Sequence, residues 1–161
     1  MCIRDRFISV LVAVRFIHQR PIRSLITPYP RVDWKRAAVG FAFFMLLAAA
    51  GSVGEAVLHP GRYQFTFNAN EFFKFLPLVL IFVPIQTAGE ELLFRGYMTQ
   101  SLGLIIRKPL ALAVVSSFIF MLLHLPNPEV NVDIVLLPAY YFGVGLFFAL
   151  VTLGDNRLEL A

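Results

Sequence analysis

Three ionisable side chains, Glu90, Glu91 and Arg95, lie in the run Gly89-Glu90-Glu91-Leu92-Leu93-Phe94-Arg95-Gly96, inside a long apolar stretch. At bilayer depth each such group costs roughly 2.5–3.5 kcal/mol on insertion scales, so three together call for charge cancellation, chemistry or both. On a helix, Glu91 and Arg95 stand four residues apart on one face and can pair. Glu90 is turned about 100° away from Glu91 and is not the natural partner of that arginine. This asymmetry divides the labour. Glu91 with Arg95 reads as a structural pair, and Glu90 is left to face a polar cavity, where a carboxylate can act as general base towards water. The blander alternative is that Glu90 hydrogen-bonds a neighbouring helix or lies near the interface.

The second candidate is His124, in Phe120-Met121-Leu122-Leu123-His124-Leu125-Pro126. A neutral imidazole can hold a water through one nitrogen while the other is anchored. A lone histidine at a helix end can equally be a satisfied structural residue. His18, in a basic loop, and His59, at a helix end, read as ordinary surface or interfacial residues. Gln86 and Thr87 are expected to bond backbone groups freed by Pro84. Ser116 and Ser117 are small residues suited to helix packing, with no base at a spacing that would make either a nucleophile. Glu55, near the end of its span, can reach headgroups, and Asn127 and Asn131 read as turn residues. Metal binding by Glu90, Glu91 and His124 is conceivable, but without His-Glu-x-x-His or a second nearby histidine zinc is disfavoured.

The surrounding elements follow from composition. Apolar residues make up 58% of the 161 residues and charged residues 15%, against roughly 45–50% apolar in a soluble domain. The mean hydropathy of +0.74 points the same way. The chain therefore reads as an all-α, polytopic transmembrane helix bundle, a single integral-membrane domain spanning residues 1–161. Stretches of bilayer length, about 20 residues, fall at 37–58, 72–99, 109–125 and 134–153. Pro77, Pro84 and Gly89 are expected to kink or split the second of them. Residues 7–17 read as the remainder of a further helix whose beginning is missing, and both ends of the sequence look cut. Cys2 is the single cysteine, which excludes an intramolecular disulfide.

The net charge of +4 does not imply a nucleic-acid partner, because the basic residues cluster between apolar spans. Residues 15–36 carry Arg15, Arg20, Arg23, Arg31, Lys35 and Arg36, and 104–109 carry Arg107 and Lys108. The 59–71 connector has only Arg62, and 126–133 has Glu129 and Asp133 with no basic residue. By the positive-inside rule, 18–36 and 104–109 are cytoplasmic and the other two connectors lie outside. The partner expected from this pattern is the lipid bilayer, in a multi-pass protein of the plasma membrane.

Glu90-Glu91-x-x-x-Arg95, followed by Phe120-x-x-x-His124, resembles the first two motifs of the CPBP intramembrane metalloprotease-like family. This family comprises the type II CAAX prenyl endopeptidases and bacteriocin-processing or immunity proteins. Pro84-Ile85-Gln86-Thr87-Ala88-Gly89 and the 154–161 segment also look like its members. The resemblance implies a helical membrane bundle and metal-independent glutamate protease chemistry with no cofactor. Carried over, Glu90 would activate the water, His124 would help position it, and Glu91 with Arg95 would be the structural pair. A third motif, a histidine followed four residues later by asparagine, would stabilise the oxyanion. It is expected shortly after Ala161, so these 161 residues are expected to be a fragment, impaired or inactive alone. An extended reading frame lacking His-x-x-x-Asn within about ten residues would sink that expectation.

The leading expectation, with that resemblance, is a prokaryotic intramembrane endopeptidase acting on a peptide or protein substrate near the membrane. Two others stand beside it: a non-catalytic immunity or regulatory protein of the same fold, and a proton-relay or transport subunit. Prenylated substrates are not assumed. In straight hairpins of the expected lengths, Glu90 and His124 would sit at different depths. A break at 84–89, or a 126–133 connector folded back into the bundle, would let them meet. A side-chain separation well beyond about 8 Å would count against a shared water.

Overall fold

The structure, a computed structural model, describes residues 3–62, 64 and 66–160; Cys2 and Ala161 fall outside them. The described residues are helical and turn-linked, with no strand. Helix α1 (Ile3–Val12) widens into a π-helical turn at Ala13–Ile17. Helices α2 (Trp34–Leu58) and α3 (Ala69–Glu91) follow. The latter continues without interruption through a π-helical stretch, Leu92–Met98, into α4 (Thr99–Leu102). Helices α5 (Pro109–His124) and α6 (Leu136–Asp155) form the most extensive helix pair. By length and composition, α2, the Ala69–Leu102 run and α6 can each cross a membrane, while α5 is a shorter apolar helix.

Short polar side chains set the helix starts. Asp33 Oδ1 accepts from the amides of Lys35 at 3.0 Å and Arg36 at 3.3 Å. Asn68 Oδ1 does the same for Asn70 at 3.1 Å and Glu71 at 3.3 Å, as expected of N-capping residues that satisfy orphan backbone donors. Pro109 opens α5 at a position where its missing N–H costs nothing. Ahead of α6, Asp133 Oδ1 accepts from the amides of Val135 and Leu136 at 2.9 and 2.8 Å. The Leu136 and Val135 amide bonds hold the Asp133 carboxyl below its ordinary value. At the far end, Asn156 adopts a left-handed backbone (φ 55) and turns the chain back. The Leu158 N–H then donates to the Ile26 carbonyl at 2.8 Å. Arg36 pairs with Asp155 at 2.5 Å, fastening the start of α2 to the end of α6.

Pro77 and Pro84 lie inside α3, which does not split at either. The expected break is therefore absent. The Thr87 hydroxyl donates back to the carbonyls of Val83 at 3.1 Å and Pro84 at 3.2 Å, local bonding that helps a proline-bearing membrane helix stay intact.

The α5–α6 contact is close because small residues face each other. A Cβ on Gly145 would meet Ser117 Cα and Cβ, both at 3.2 Å, and Phe120 Cδ1 at 3.3 Å. Ser116 and Ser117 turn their hydroxyls back onto the Ala113 carbonyl at 3.1 and 2.6 Å, so neither presents a donor to the neighbouring helix. Gly145→Val is expected to force α5 and α6 apart and to cost about 1–3 kcal/mol, as overpacking does. Unfolding in detergent micelles reads this; an unchanged midpoint would mean that the helices do not approach this closely.

Candidate functional site

Arg95 lies on the π-helical stretch with its side chain 2% exposed, walled in by aromatic rings and helix α6. Its Nη1 stands 2.9 Å from Glu91 Oε1, forming the expected pair. Its Nη2 donates to the Gly145 carbonyl at 3.4 Å. The guanidinium carbon lies 4.5 Å from the Phe120 ring centroid, in cation–π range. A desolvated charge is thus met by a counter-charge, a carbonyl and a π-face together.

Glu90 turns away from this pair, towards α5. Its Oε1 accepts from Gln86 Nε2 at 3.4 Å, and its Oε2 stands 3.9 Å from His124 Nε2. The side chains of His124 and Glu90 are 13% and 25% exposed, so a small molecule can reach them without the pair being open surface. His124 Nδ1 lies 2.7 Å from the Phe120 carbonyl. A carbonyl only accepts, so Nδ1 carries the hydrogen and the neutral ring turns a bare Nε2 towards Glu90.

The depth mismatch expected for straight hairpins is met without a break at 84–89, while the 126–133 connector does fold back, with Asn127 and Glu129 reaching Tyr141 and Val130 buried. The α3–α4 run continues to Leu102. Glu90 therefore lies further from the 103–108 turn than in a helix ending at 99, by less than a pure α-helix would give because Leu92–Met98 is π-helical. His124, fifteen residues into α5, lies about 22 Å from the same turn. Side chains lean towards the N-terminus of their own helix. On antiparallel helices this tilts Glu90 away from the turn and His124 towards it, closing the remainder.

Gln86 does not bond the backbone near Pro84, as its sequence position suggested; it contacts Glu90 instead. Being four residues before Glu90, it shares that helix face, a spacing that would have identified it. Asn127 and Tyr141 belong to the same neighbourhood. The imidazole of His124 packs against two tilted rings, Phe120 with centroids 4.1 Å apart and Tyr141 at 4.7 Å. Tyr141 Oη donates to Glu129 Oε1 at 2.5 Å and accepts from Asn127 Nδ2 at 3.2 Å. The Tyr141 bond is the main cause holding the Glu129 carboxyl below its ordinary value. Glu129 therefore stays ionised at neutral pH, and its tie to Tyr141 weakens only as pH falls through that lowered value. No sequence signal distinguished Tyr141 from Tyr140. His18, read as an ordinary residue, contacts Tyr97 Oη through Nε2 at 3.0 Å. Glu91 is engaged by Arg95, and among the described residues no group of three or more His, Cys, Asp or Glu side chains is arranged to hold a metal ion.

An all-helical membrane protein with a neutralised Glu–Arg pair beside a facing glutamate and histidine is the class that this fold and cluster define. A family model described as Type II CAAX prenyl endopeptidase Rce1-like matches residues 71–161, and the chain belongs to that family of CAAX protease-type membrane proteins. It is 38% identical over 154 residues to the uncharacterized protein YyaK of Bacillus subtilis (strain 168), covering 95% of this chain and 52% of that protein. The chain thus spans about half the length of the curated relative it matches. No solved structure matches it.

Proposed function

We propose that the whole protein is a multi-pass endopeptidase of the plasma membrane, cleaving a peptide or protein near the bilayer with a glutamate-activated water. The observation that carries this is the 3.9 Å gap between Glu90 Oε2 and His124 Nε2. It is too long for a direct hydrogen bond, yet short enough for one water to reach both at ordinary bond lengths. Both atoms are acceptors, so that water donates one O–H to each and keeps its lone pairs for a carbonyl carbon. Glu90 takes the proton as the C–O bond forms and returns it to the leaving amine as the C–N bond breaks. His124 orients the water, Gln86 steadies the other carboxylate oxygen, and Glu91 with Arg95 holds the helix in place. No metal or cofactor enters this reading.

The tetrahedral intermediate also needs oxyanion donors. Because the chain spans about half the length of its curated relative, activity is proposed for the whole protein. The test is cleavage of membrane-proximal peptides by the full-length protein in liposomes, with Glu90→Gln as the comparison. Cleavage lost with the fold intact supports the reading. Cleavage retained in Glu90→Gln overturns it, and binding of a partner by wild-type protein with no cleavage would favour an immunity or regulatory protein of the same fold.

A further inference from the structure

We propose that Tyr141 is a positioning residue for His124, locked in place by Asn127 and Glu129 so that the imidazole keeps one plane and one nitrogen towards Glu90. The proposal rests on the glutamate–histidine reading for its purpose, but its geometry stands apart from it. His124 is anchored on α5 at one point only, the Nδ1–H to the Phe120 carbonyl. That bond restrains an otherwise broad torsion about Cβ–Cγ from one edge of the ring only, and leaves rocking of the ring about the N–H···O contact to be limited by what packs on it. Two tilted aromatic rings limit that motion. Phe120, one turn earlier on the same helix, stacks at 4.1 Å with planes 34° apart. Tyr141, from α6, packs on the ring at 4.7 Å and 32°.

The second ring is itself held from outside. Tyr141 Oη has a donor partner and an acceptor partner, Asn127 at 3.2 Å and Glu129 at 2.5 Å, both on the connector that follows His124. That connector leaves α5 through the Asn127 N–H bond to the His124 carbonyl at 3.0 Å. It is fixed further by the short 3-10 turn at Pro128–Asn131. The chain therefore leaves His124, makes one turn and ties down the ring that covers His124. Tyr141 touches no atom assigned to the reaction, so its contribution is to orientation. Misplacing a reacting group by about 1 Å can cost about 10²-fold in rate.

The experiment is solid-state NMR of the full-length protein in liposomes with nitrogen-15 histidine, the His124 signals being assigned by their loss in His124→Asn. Wild-type protein is expected to show a protonated Nδ1 and a bare Nε2 in one sharp pair of signals. Tyr141→Ala is expected to spread them over a mixture of tautomers and ring orientations. Tyr141→Phe and Glu129→Gln keep the ring and release the lock, so each is expected to broaden the same signals; they decide the matter if Tyr141→Ala fails to fold. His124 signals unchanged in Tyr141→Phe and Glu129→Gln would overturn the proposal. Cleavage, where measured, is expected to fall about tenfold in kcat with KM little changed in Tyr141→Phe, as lost orientation requires. Glu90→Gln that still cleaves would sink the glutamate-base reading while leaving the NMR outcome intact, so the two failures are separable.

Discussion

Glu90→Gln in the full-length protein is expected to lower peptide cleavage by about 10²–10⁴-fold, the range that general-base catalysis contributes. The substitution removes the acceptor that takes the water's proton but keeps the side chain's length and planarity. Gln86 still has an amide oxygen to donate to at the 3.4 Å position, so the helix face is not stripped of its polar contact. KM should change little, because the group acts on the water and not on the bound peptide. His124→Ala should lower the same rate, and the double variant should be hardly worse than Glu90→Gln alone, since both residues act on one water. Rates for wild type, the two single variants and the double variant check this. Fully multiplicative losses would mean that the two side chains, 3.9 Å apart, serve separate steps.

The second large effect concerns stability. Glu91→Ala strands the Arg95 guanidinium in a site where its side chain is 2% exposed. Breaking a buried pair from one side costs about 3–5 kcal/mol, because the remaining charge has no compensation. The Gly145 carbonyl and the Phe120 ring soften that loss without replacing a counter-ion. The pair replaced together, Glu91→Leu with Arg95→Met, should recover most of the lost stability, since two apolar side chains of similar volume suit the same space. Unfolding of the four variants in detergent gives the coupling directly. A double variant as unstable as Glu91→Ala would show that Arg95 is needed for more than its partner. In the fraction of Glu91→Ala that stays folded, cleavage should remain close to wild type, which separates this pair from Glu90.

Much of this arrangement was legible in the residues themselves. Apolar runs of bilayer length marked the helices to within a few positions: 37–58 became Trp34–Leu58, and 134–153 became Leu136–Asp155. The Glu91–Arg95 pair followed from i, i+4 spacing, because both partners lie on one helix. Of the kink or split expected at the prolines, the split does not occur, since a helix in lipid has no alternative partner for its backbone. The approach of Glu90 to His124 could not be read locally. It depends on how far the chain runs past residue 99 and on which way two antiparallel helices lean their side chains. Tyr141 was hidden for a similar reason. Its role comes from α6 lying against α5, an alignment set by the glycine at 145 and the serine at 117 rather than by anything near the tyrosine.

Helix α5 has 16 residues, about 24 Å of helix, whereas a typical hydrocarbon core is about 30 Å thick. Were α5 to span the bilayer, one way to match it is for the lipids beside it to pinch inwards by several ångströms, at a cost of fractions of a kcal/mol per ångström. His124 ends this helix, so a bilayer thinned to match α5 would carry headgroups and their hydration to it. The dimple in the membrane, rather than a pore through the protein, would bring water to Glu90. Reconstitution in bilayers of increasing acyl-chain length should therefore slow cleavage progressively, and a rate indifferent to thickness would show that water arrives by another route. The hydrophobic length of one helix makes the surrounding lipid a determinant of how wet the site is.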